Sequence, residues 1–297
     1  MKKIGIIGAG SFLARNFIEY VVSSGLDYNF ELYGHRTESE YKQFIYKQVD
    51  FGDCNSIKEN INFDVDALMI FIGLTGTING FERSSDFVLV NEIYLLNILK
   101  VCSEESFRPL IVYPSSRLVY KSNEYNKVSE DSPRECKTIY AVTKQAAESY
   151  LKVFENAYGI RFVILHICTP IGSLLCDDGN YGTFEIFKNQ ALQKRKISVF
   201  GDGKQRKTFT YIIDICEAFV RIVEKQETDY SEYNLGGNDL SLLDIASYIA
   251  KSYDAVIEHV EWPEMYRKVD GGSVVFDSTR FDNEFNLEYS DVLKQVL

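Results

Sequence analysis

The chain has little that would suit a nucleic-acid surface, a membrane span or a disulfide framework. Its formal net charge is −11 over 297 residues, which argues against a basic surface for nucleic acid. No apolar run reaches the roughly 18 residues of a membrane-spanning helix. The N-terminus begins like a signal peptide but its apolar run breaks at Gly8. We therefore expect a soluble cytoplasmic protein that binds neither nucleic acid nor membrane.

Cysteine usage points to the same compartment. Six cysteines are scattered along the chain without a Cys-x-x-Cys pair. Such a pattern favours reduced thiols over disulfides, and we predict no metal site. The six are Cys54, Cys102, Cys136, Cys168, Cys176 and Cys216.

Short apolar runs alternate with longer amphipathic stretches through the first 170 residues. This alternation predicts βαβ units in a Rossmann-type, doubly wound parallel sheet. After residue 170 the pattern loosens. We expect a dinucleotide-binding domain over 1–170 and a smaller α/β substrate-binding region over 171–297, with some chain crossing. The candidate strands are Ile4–Ile7, Phe30–Tyr33, Ala67–Ile72, Leu110–Tyr113 and Phe162–His166, and the candidate helices are Phe12–Ser24, Asp86–Glu104 and Ile139–Ala157.

A loop of small residues follows the first strand and opens the first helix. Small side chains there let backbone N–H groups approach a pyrophosphate, and the helix N-terminus adds partial positive charge. A tight strand–helix turn alone would also favour glycine. The position at the first βα junction favours dinucleotide binding by Gly8, Gly10, Ser11, Phe12 and Leu13.

The end of the second strand bears on the type of cofactor. An acidic residue there would bind the ribose hydroxyls of NAD, and a basic one would suit the 2′-phosphate of NADP. Glu31 lies too early, and Gly34 stands where the acid belongs. His35 and Arg36 then favour NADP(H), with NAD the alternative; Arg36 as a solvated loop residue is the plainer interpretation.

Asp50 and Phe51 precede the next predicted helix. They could place a carboxylate and an aromatic ring beside adenine. An ordinary turn would have the same composition.

Tyr140 and Lys144 form a Tyr-x-x-x-Lys pair that places both side chains on one helix face. An ammonium beside a phenol favours the phenolate and creates an acid–base group. Upstream, Ser115 and Ser116 end a predicted parallel strand, where side chains face the ligand crevice. Alone, the serine pair would be a turn; with the glycine loop and Tyr140, it indicates a hydride-transfer site in which Ser116 binds the reacting oxygen and Lys144 binds the cofactor ribose.

Together these motifs resemble the extended short-chain dehydrogenase/reductases, specifically the NAD-dependent epimerase/dehydratase family acting on nucleotide sugars. Ser116 stands four positions before Tyr120 of a Val-Tyr pair, as the family pattern requires, and Val90-Asn91 matches its Val-Asn. The resemblance implies that Ser116, Tyr140, Lys144 and Asn91 are catalytic, with Asn91 in a structural and proton-relay role. It also implies a homodimer formed through the helices near Asp86–Glu104 and Ile139–Ala157.

The segment Val199–Asp214 resembles the nucleotide-sugar segment of the same family. There the resemblance implies that Lys207, with Arg206 adjacent, contacts the substrate diphosphate, and that Arg267 is a further substrate-binding residue. A flexible Gly-Asp-Gly turn followed by two cations would suit a phosphate clamp. A β-turn with surface charge is the alternative.

The chain also departs from the family pattern. Ser11 and Ala14 replace two loop glycines, His166 replaces the usual arginine, and Thr169 the usual asparagine. Phe71–Gly76 replaces the usual His-Leu-Ala-Ala. We expect these changes to alter the geometry around the nicotinamide.

One departure separates the reactions. Family 4,6-dehydratases carry an acidic pair directly after the catalytic Ser/Thr, whereas this chain has Arg117-Leu118. That argues against dehydration. The sequence favours an NADPH-dependent reductase of a 4-keto nucleotide sugar, chiefly because of His35 and Arg36. The alternatives are an NAD-dependent 4-epimerase and a non-catalytic NADP(H)-binding sensor or scaffold.

Overall fold

The computed structural model describes residues 1–175, 182–269 and 272–295. The strands are Lys2–Ile7 (β1), Tyr28–Gly34 (β2), Ile45–Gln48 (β3), Ala67–Ile70 (β4), Leu110–Ser116 (β5), Phe162–Ile167 (β6), Thr169–Ile171 (β7), Lys196–Phe200 (β8), Arg206–Tyr211 (β9), Glu232–Asn234 (β10), Asn238–Ser241 (β11) and Val256–Val260 (β12). The helices are Phe12–Ser23 (α1), Cys54–Asn60 (α2), Asn79–Glu82 (α3), Ser84–Val88 (α4), Tyr94–Glu104 (α5), Ile139–Tyr158 (α6), Gly182–Lys194 (α7), Ile212–Lys225 (α8), Leu242–Tyr253 (α9), Glu264–Val269 (α10), Thr279–Phe285 (α11) and Val292–Gln295 (α12).

A seven-stranded sheet forms the centre of the fold, in the order β10-β6-β5-β4-β1-β2-β3. All six strand pairs are parallel. The strand order reverses between β1 and β4, so their carboxyl ends diverge into a crevice where ligands bind in sheets of this kind. The predicted doubly wound parallel sheet is confirmed.

Helices cover both faces because successive strand residues point to opposite sides. Ile4 and Ile6 of β1 join one hydrophobic cluster with Phe17 of α1. Ile7 joins the other cluster, with Leu99 of α5. The strands are therefore apolar throughout, as a sheet buried on both faces requires.

The chain returns to this sheet after leaving it. β10 pairs with β6 at the sheet edge, and α8 packs beside α1. Phe219 of α8 lies with its ring centroid 5.8 Å from that of Phe17 and 5.3 Å from that of Phe71. The division near residue 170 stays a prediction, and the crossing chain supplies part of the layer that covers the first domain.

Smaller sheets make up the rest of the C-terminal region. β11, β9 and β7 form a three-stranded sheet, and β12 pairs with β8. Their shared cluster includes Phe187, Val199 and Ile245. Strand β7 directly follows β6 and so connects these smaller sheets to the carboxyl edge of the main sheet.

The predicted elements differ from the observed ones mainly at their ends. Strand β4 stops at Ile70, and β5 continues through the serine pair to Ser116 because Ser115 and Ser116 pair with His166 and Ile167. The predicted helix Asp86–Glu104 is interrupted by a π-helical turn over Leu89–Ile93.

The described cysteines, Cys54, Cys102, Cys136, Cys168 and Cys216, are free thiols; Cys176 lies outside the described residues. Within the described ranges, no helix combines the length and the apolar character that a membrane crossing requires.

We predict that Phe219→Ala lowers the free energy of unfolding by about 3–5 kcal/mol, because it empties a fully buried site between α8 and the sheet. Urea denaturation measures the change. Phe107→Ala is the matched control, since Phe107 is 52% exposed and should change the free energy by less than about 0.5 kcal/mol. Equal effects of the two variants would contradict the packing of α8 on this sheet.

Candidate active site

A cleft of about 950 Å³ opens at the carboxyl edge of the main sheet. Its walls come from the segments after β1, β4, β5 and β6, from α6, and from the C-terminal elements around β8, β9 and α10. Ser116, Tyr140, Lys144 and Lys207 all line it. The structure thus brings together three of the four predicted catalytic side chains and one predicted substrate-binding cation.

The glycine loop closes the floor of this cleft. Gly8 has φ +81°, and a Cβ there would lie 2.6 Å from the backbone nitrogen of Ile72, so only glycine fits. Ser11 caps α1 by accepting a hydrogen bond from the Ala14 N–H at 3.4 Å. Ser11, Phe12 and Leu13 line the cleft at the amino end of α1. This arrangement fits a dinucleotide pyrophosphate.

Lys144 is buried and held in place. Its Nζ donates to the Pro114 carbonyl at 2.8 Å and lies 4.3 Å from the centroid of the Tyr113 ring. Burial lowers the pKa of Lys144 to about 8, while the charge of Glu148 acts in the opposite direction. Lys144 therefore presents a fixed ammonium one helical turn from Tyr140.

The Ser116 hydroxyl lies at the end of β5 and accepts the Leu118 N–H at 3.3 Å. Tyr140 opens α6, whose N-cap is Thr138: its hydroxyl accepts the Ala141 N–H at 3.0 Å. Because strand and helix both deliver side chains to one cleft, a reacting hydroxyl or ketone could meet Ser116 and Tyr140 together.

Asn91 lies behind the cleft, within the π-helical turn. Its amide bonds both backbone groups of Leu74, at 2.7 and 3.0 Å, and donates to the Thr143 hydroxyl at 3.0 Å. It thereby joins the loop after β4 to α6. These contacts support the structural part of its predicted role; a proton-relay function stays a prediction.

At the end of β2, an acidic side chain in place of Gly34 would require Tyr46 to move. A Cβ on Gly34 would lie 2.7 Å from the Tyr46 hydroxyl, which donates to the Arg36 carbonyl at 2.9 Å. The Arg36 guanidinium packs beside Gly10, 3.6 Å from where a Cβ would stand. His35 is exposed, and its carbonyl accepts from Gln48. Arg36 is exposed as well, but its guanidinium lies beside the glycine loop.

The predicted aromatic contact with adenine is wrong for the ring of Phe51. That ring is 2% exposed and belongs to a core cluster with Ile57 and Leu95. Asp50 is exposed but accepts the Gly52 N–H at 2.9 Å. Asp50 is thus an exposed turn residue, and its contact with a cofactor stays a prediction.

The two adjacent cations of β9 point to opposite faces, because strand side chains alternate. Lys207 is buried and lines the cleft. Arg206 points outward, where it donates to the Asp239 carbonyl at 2.5 Å and lies 3.9 Å from Asp244. Of the predicted phosphate clamp, the structure therefore brings only Lys207 to the cleft.

Arg267 is not a lining residue of the cleft. It lies on α10 and is exposed, whereas its helix neighbours Tyr266 and Val269 line the wall. Its predicted contact with substrate has no support in this arrangement.

Sequence reasoning missed a polar network behind Lys144. Glu148 is one helical turn further along α6; it accepts the Ser115 hydroxyl and lies 3.0 Å from His166 Nε2 and 3.4 Å from Arg134. Burial alone would raise the pKa of Glu148, but His166, Arg134 and Ser115 together outweigh it and lower the pKa to about 2. The replacement of an arginine by His166 could have signalled this, since Arg134 brings a guanidinium to the same place.

The network is not arranged as a metal site. Glu148, His166 and Glu232 bring possible ligand atoms within 4.8 Å of one another. Arg134, however, lies 3.4 Å from Glu148 and 3.1 Å from Glu232. The guanidinium already provides the positive charge that these carboxylates need.

The sequence matches a protein-family model over most of its length. Residues 4–236 match the family model of the NAD dependent epimerase/dehydratase family. The chain belongs to this family. Its membership confirms the resemblance drawn from the motifs and makes the chain an NAD(P)-dependent enzyme of the short-chain dehydrogenase/reductase type.

The individual relatives match this chain over most of its length. An uncharacterized protein of Methanocaldococcus jannaschii is 28% identical over 253 residues, covering 80% of this chain and 76% of its own. A putative UDP-glucose 4-epimerase of the same organism is 23% identical, covering 72% and 70%. The structure of UDP-glucose 4-epimerase from Thermus thermophilus, a complex with NAD, superimposes with a TM-score of 0.82 at 18% identity, covering 99% and 97%.

We predict that Glu148→Gln lowers the free energy of unfolding at pH 7 by about 3–5 kcal/mol, because it breaks a buried ion pair. The pKa of the folded-state carboxyl, about 2, lies below its ordinary 4.5. The stability that the ionised Glu148 carboxylate contributes to the folded state is therefore complete above about pH 5 and is lost as the pH falls toward 2.

The difference in the free energy of unfolding between wild type and Glu148→Gln should consequently shrink by about 2 kcal/mol as the pH falls from 6 to 3. Urea titrations at several pH values measure it. Exposed Glu227 provides the control, as Glu227→Gln should follow the wild type throughout. Parallel curves for Glu148→Gln and wild type would contradict a lowered pKa.

Proposed function

We propose that the chain is a nucleotide-sugar 4-epimerase that works with a bound nicotinamide dinucleotide. The observation that carries the proposal is the shared cleft of Ser116, Tyr140, Lys144 and Lys207, with the amino end of α1 at its floor. The similarity to a putative UDP-glucose 4-epimerase of Methanocaldococcus jannaschii and to the UDP-glucose 4-epimerase of Thermus thermophilus supports this reaction over net reduction.

The residues divide the work as follows. Tyr140 takes the proton of the sugar C4 hydroxyl and later returns it, Ser116 holds that oxygen by a hydrogen bond, and the Lys144 ammonium favours the phenolate. Ser11, Phe12, Leu13 and Lys144 would hold the dinucleotide, whose nicotinamide would supply reversible hydride transfer at C4. Lys207 binds the diphosphate, so that the sugar can turn while its anchor stays in place.

The substrate side of the cleft lies within the proposed region 171–297. Phe200, Trp262 and Tyr266 line it, with the Phe200 and Trp262 ring centroids 5.1 Å apart and those of Phe200 and Tyr266 6.1 Å apart. Such rings offer an apolar wall to a nucleotide base. Trp262 is the only tryptophan of the chain, so its fluorescence reports binding.

A 4-keto sugar reductase is the second candidate, and a specific observation favours it. Gly34 stands where an NAD-binding acid is expected, and Arg36 packs beside Gly10. A guanidinium at that position suits the 2′-phosphate of NADP(H), the cofactor of a net reduction. Arg117-Leu118 argues against a dehydratase, as before.

We predict that the wild type interconverts C4 epimers of a nucleotide sugar without net use of cofactor, and that Tyr140→Phe loses about 10²–10⁴-fold in turnover by losing the proton carrier. The experiment is a panel of nucleotide hexoses and 4-keto sugars, followed by chromatography with and without NADPH. Retained quenching of Trp262 by UDP in Tyr140→Phe is the control for folding.

Other outcomes have distinct meanings. Stoichiometric NADPH loss on a 4-keto sugar would replace the epimerase by the reductase. No turnover of any member of the panel, with cofactor bound, would favour the non-catalytic sensor or scaffold. Near-normal turnover by Tyr140→Phe would overturn the role of Tyr140.

We also propose a homodimer formed through α6 and the helical segment 84–104, which contact each other. Both carry exposed apolar side chains: Val88, Leu89 and Ile93 are 40–42% exposed, and Val142 and Val153 are 49% and 59% exposed. Covering such side chains is the usual means by which two copies associate.

We predict that Val153→Glu converts the dimer to a monomer, because it places a charge in the covered face. Sedimentation velocity measures the change. Val256→Glu, at a 68% exposed position on β12, is the matched control and should stay dimeric. A monomeric wild type, or a Val153→Glu dimer of undiminished stability, would contradict this arrangement.

A further inference from the structure

Arg117 follows the catalytic serine directly and shares its cleft. Strand β5 ends at Ser116, and Arg117 begins a 3₁₀ turn that continues to Val119. The Arg117 side chain lines the main cleft and also a small cavity beside it, with Glu135 and Lys137. A ligand whose reacting oxygen is held by Ser116 would therefore have Arg117 next to it.

Among the residues that the structure describes, the Arg117 guanidinium has no counter-ion. Its Nη1 atom is buried without a hydrogen-bond partner, and among the ion pairs of the described residues none involves Arg117. Glu135, which lines the same small cavity, lies 3.4 Å from Lys137 instead. A guanidinium donor left unbonded is costly. Arg117 as a whole is only partly buried and lines the cleft, so its other donors can meet an acceptor there.

The cleft as a whole is arranged for negative charge, although the protein carries a net charge of −11. Its described lining includes three cations, Arg117, Lys144 and Lys207, and neither aspartate nor glutamate. Burial raises the pKa of Cys168 in the cleft wall, and the charges of Arg117 and Lys207 both oppose that rise. Both cations therefore act on the same part of the wall.

Two of these cations already have tasks. Lys144 is bonded to the Pro114 carbonyl, and Lys207 is the proposed partner of the diphosphate. Arg117 remains, beside the serine that holds O4. In a hexose, C4 is bonded to C5, and C5 carries the exocyclic carbon C6. When Ser116 holds O4, C6 is therefore the substituent nearest to the reacting carbon that could meet Arg117. A guanidinium binds a carboxylate through two parallel hydrogen bonds.

We propose that the sugar substrate is a hexuronate, and that Arg117 binds its C6 carboxylate and so determines specificity. This inference rests on the proposed function, because it uses the position of O4 at Ser116. A neutral hexose would leave the guanidinium unpaired and would be bound less well.

Binding of UDP-glucuronate and of UDP-glucose, measured by quenching of Trp262, tests the inference without requiring turnover. The wild type should bind UDP-glucuronate about 10- to 100-fold more tightly than UDP-glucose, which is the worth of a charged hydrogen bond. Arg117→Gln should abolish that ratio, and Arg117→Lys should restore part of it. UDP alone, which lacks the sugar, should bind all three proteins alike and so controls for folding.

The proposal would be overturned if the wild type bound UDP-glucuronate no more tightly than UDP-glucose, or did not bind it at all. A loss of affinity for both sugars and for UDP in Arg117→Gln would also overturn it, since that pattern indicates a structural role. The reaction is tested separately. If the protein binds the uronate preferentially but does not epimerise it, only the proposed epimerase activity is contradicted. If it epimerises both sugars equally well, only the proposed role of Arg117 is contradicted.

Discussion

A buried ammonium needs a fixed partner, and the way in which Lys144 obtains one organises this site. Its hydrogen bond to the Pro114 carbonyl attaches α6 to β5, beside the bond from the Ser115 hydroxyl to Glu148. Tyr140 precedes Lys144 by one helical turn, and Ser116 follows Pro114 by two residues, so both are positioned by the same bond. Glu148, one turn further, opposes the effect of burial on the lysine. The catalytic geometry therefore depends on the packing of one helix against one strand.

Charge is separated around this contact. The acids near the site lie behind the helix, where Glu148 and Glu232 share Arg134. The cations Arg117, Lys144 and Lys207 face the cleft, with no acid in its described lining. Within an acidic protein, this arrangement creates a local surface that attracts anions. It suits phosphates and any further acidic group on a sugar, and it explains why net charge alone says nothing about the ligand.

The long periodic elements could be predicted from the sequence, and the short ones could not. Strands buried on both faces appear as apolar runs, and α6 carries a clear cap and period. By contrast, β3 is a half-exposed edge strand, Ile45–Gln48, whose four residues form no apolar run. The interruption of the helix at Asn91 was equally hidden, because a π turn is stabilised by contacts with Leu74 and Thr143 that lie far away in the chain.

By itself, the sequence determined the fold class and predicted the dinucleotide loop and the set of Ser116, Tyr140 and Lys144, because each rests on local spacing along one strand or one helix. Only the tertiary structure decided which neighbouring side chain reaches the ligand. Lys207 rather than Arg206 faces the cleft, and the Phe51 ring lies in the core. Sequence order places such residues side by side, whereas strand alternation and packing send them to opposite faces. Only the tertiary structure could likewise show that no described residue pairs with Arg117, because a partner is set by the surrounding volume and not by neighbours in the chain.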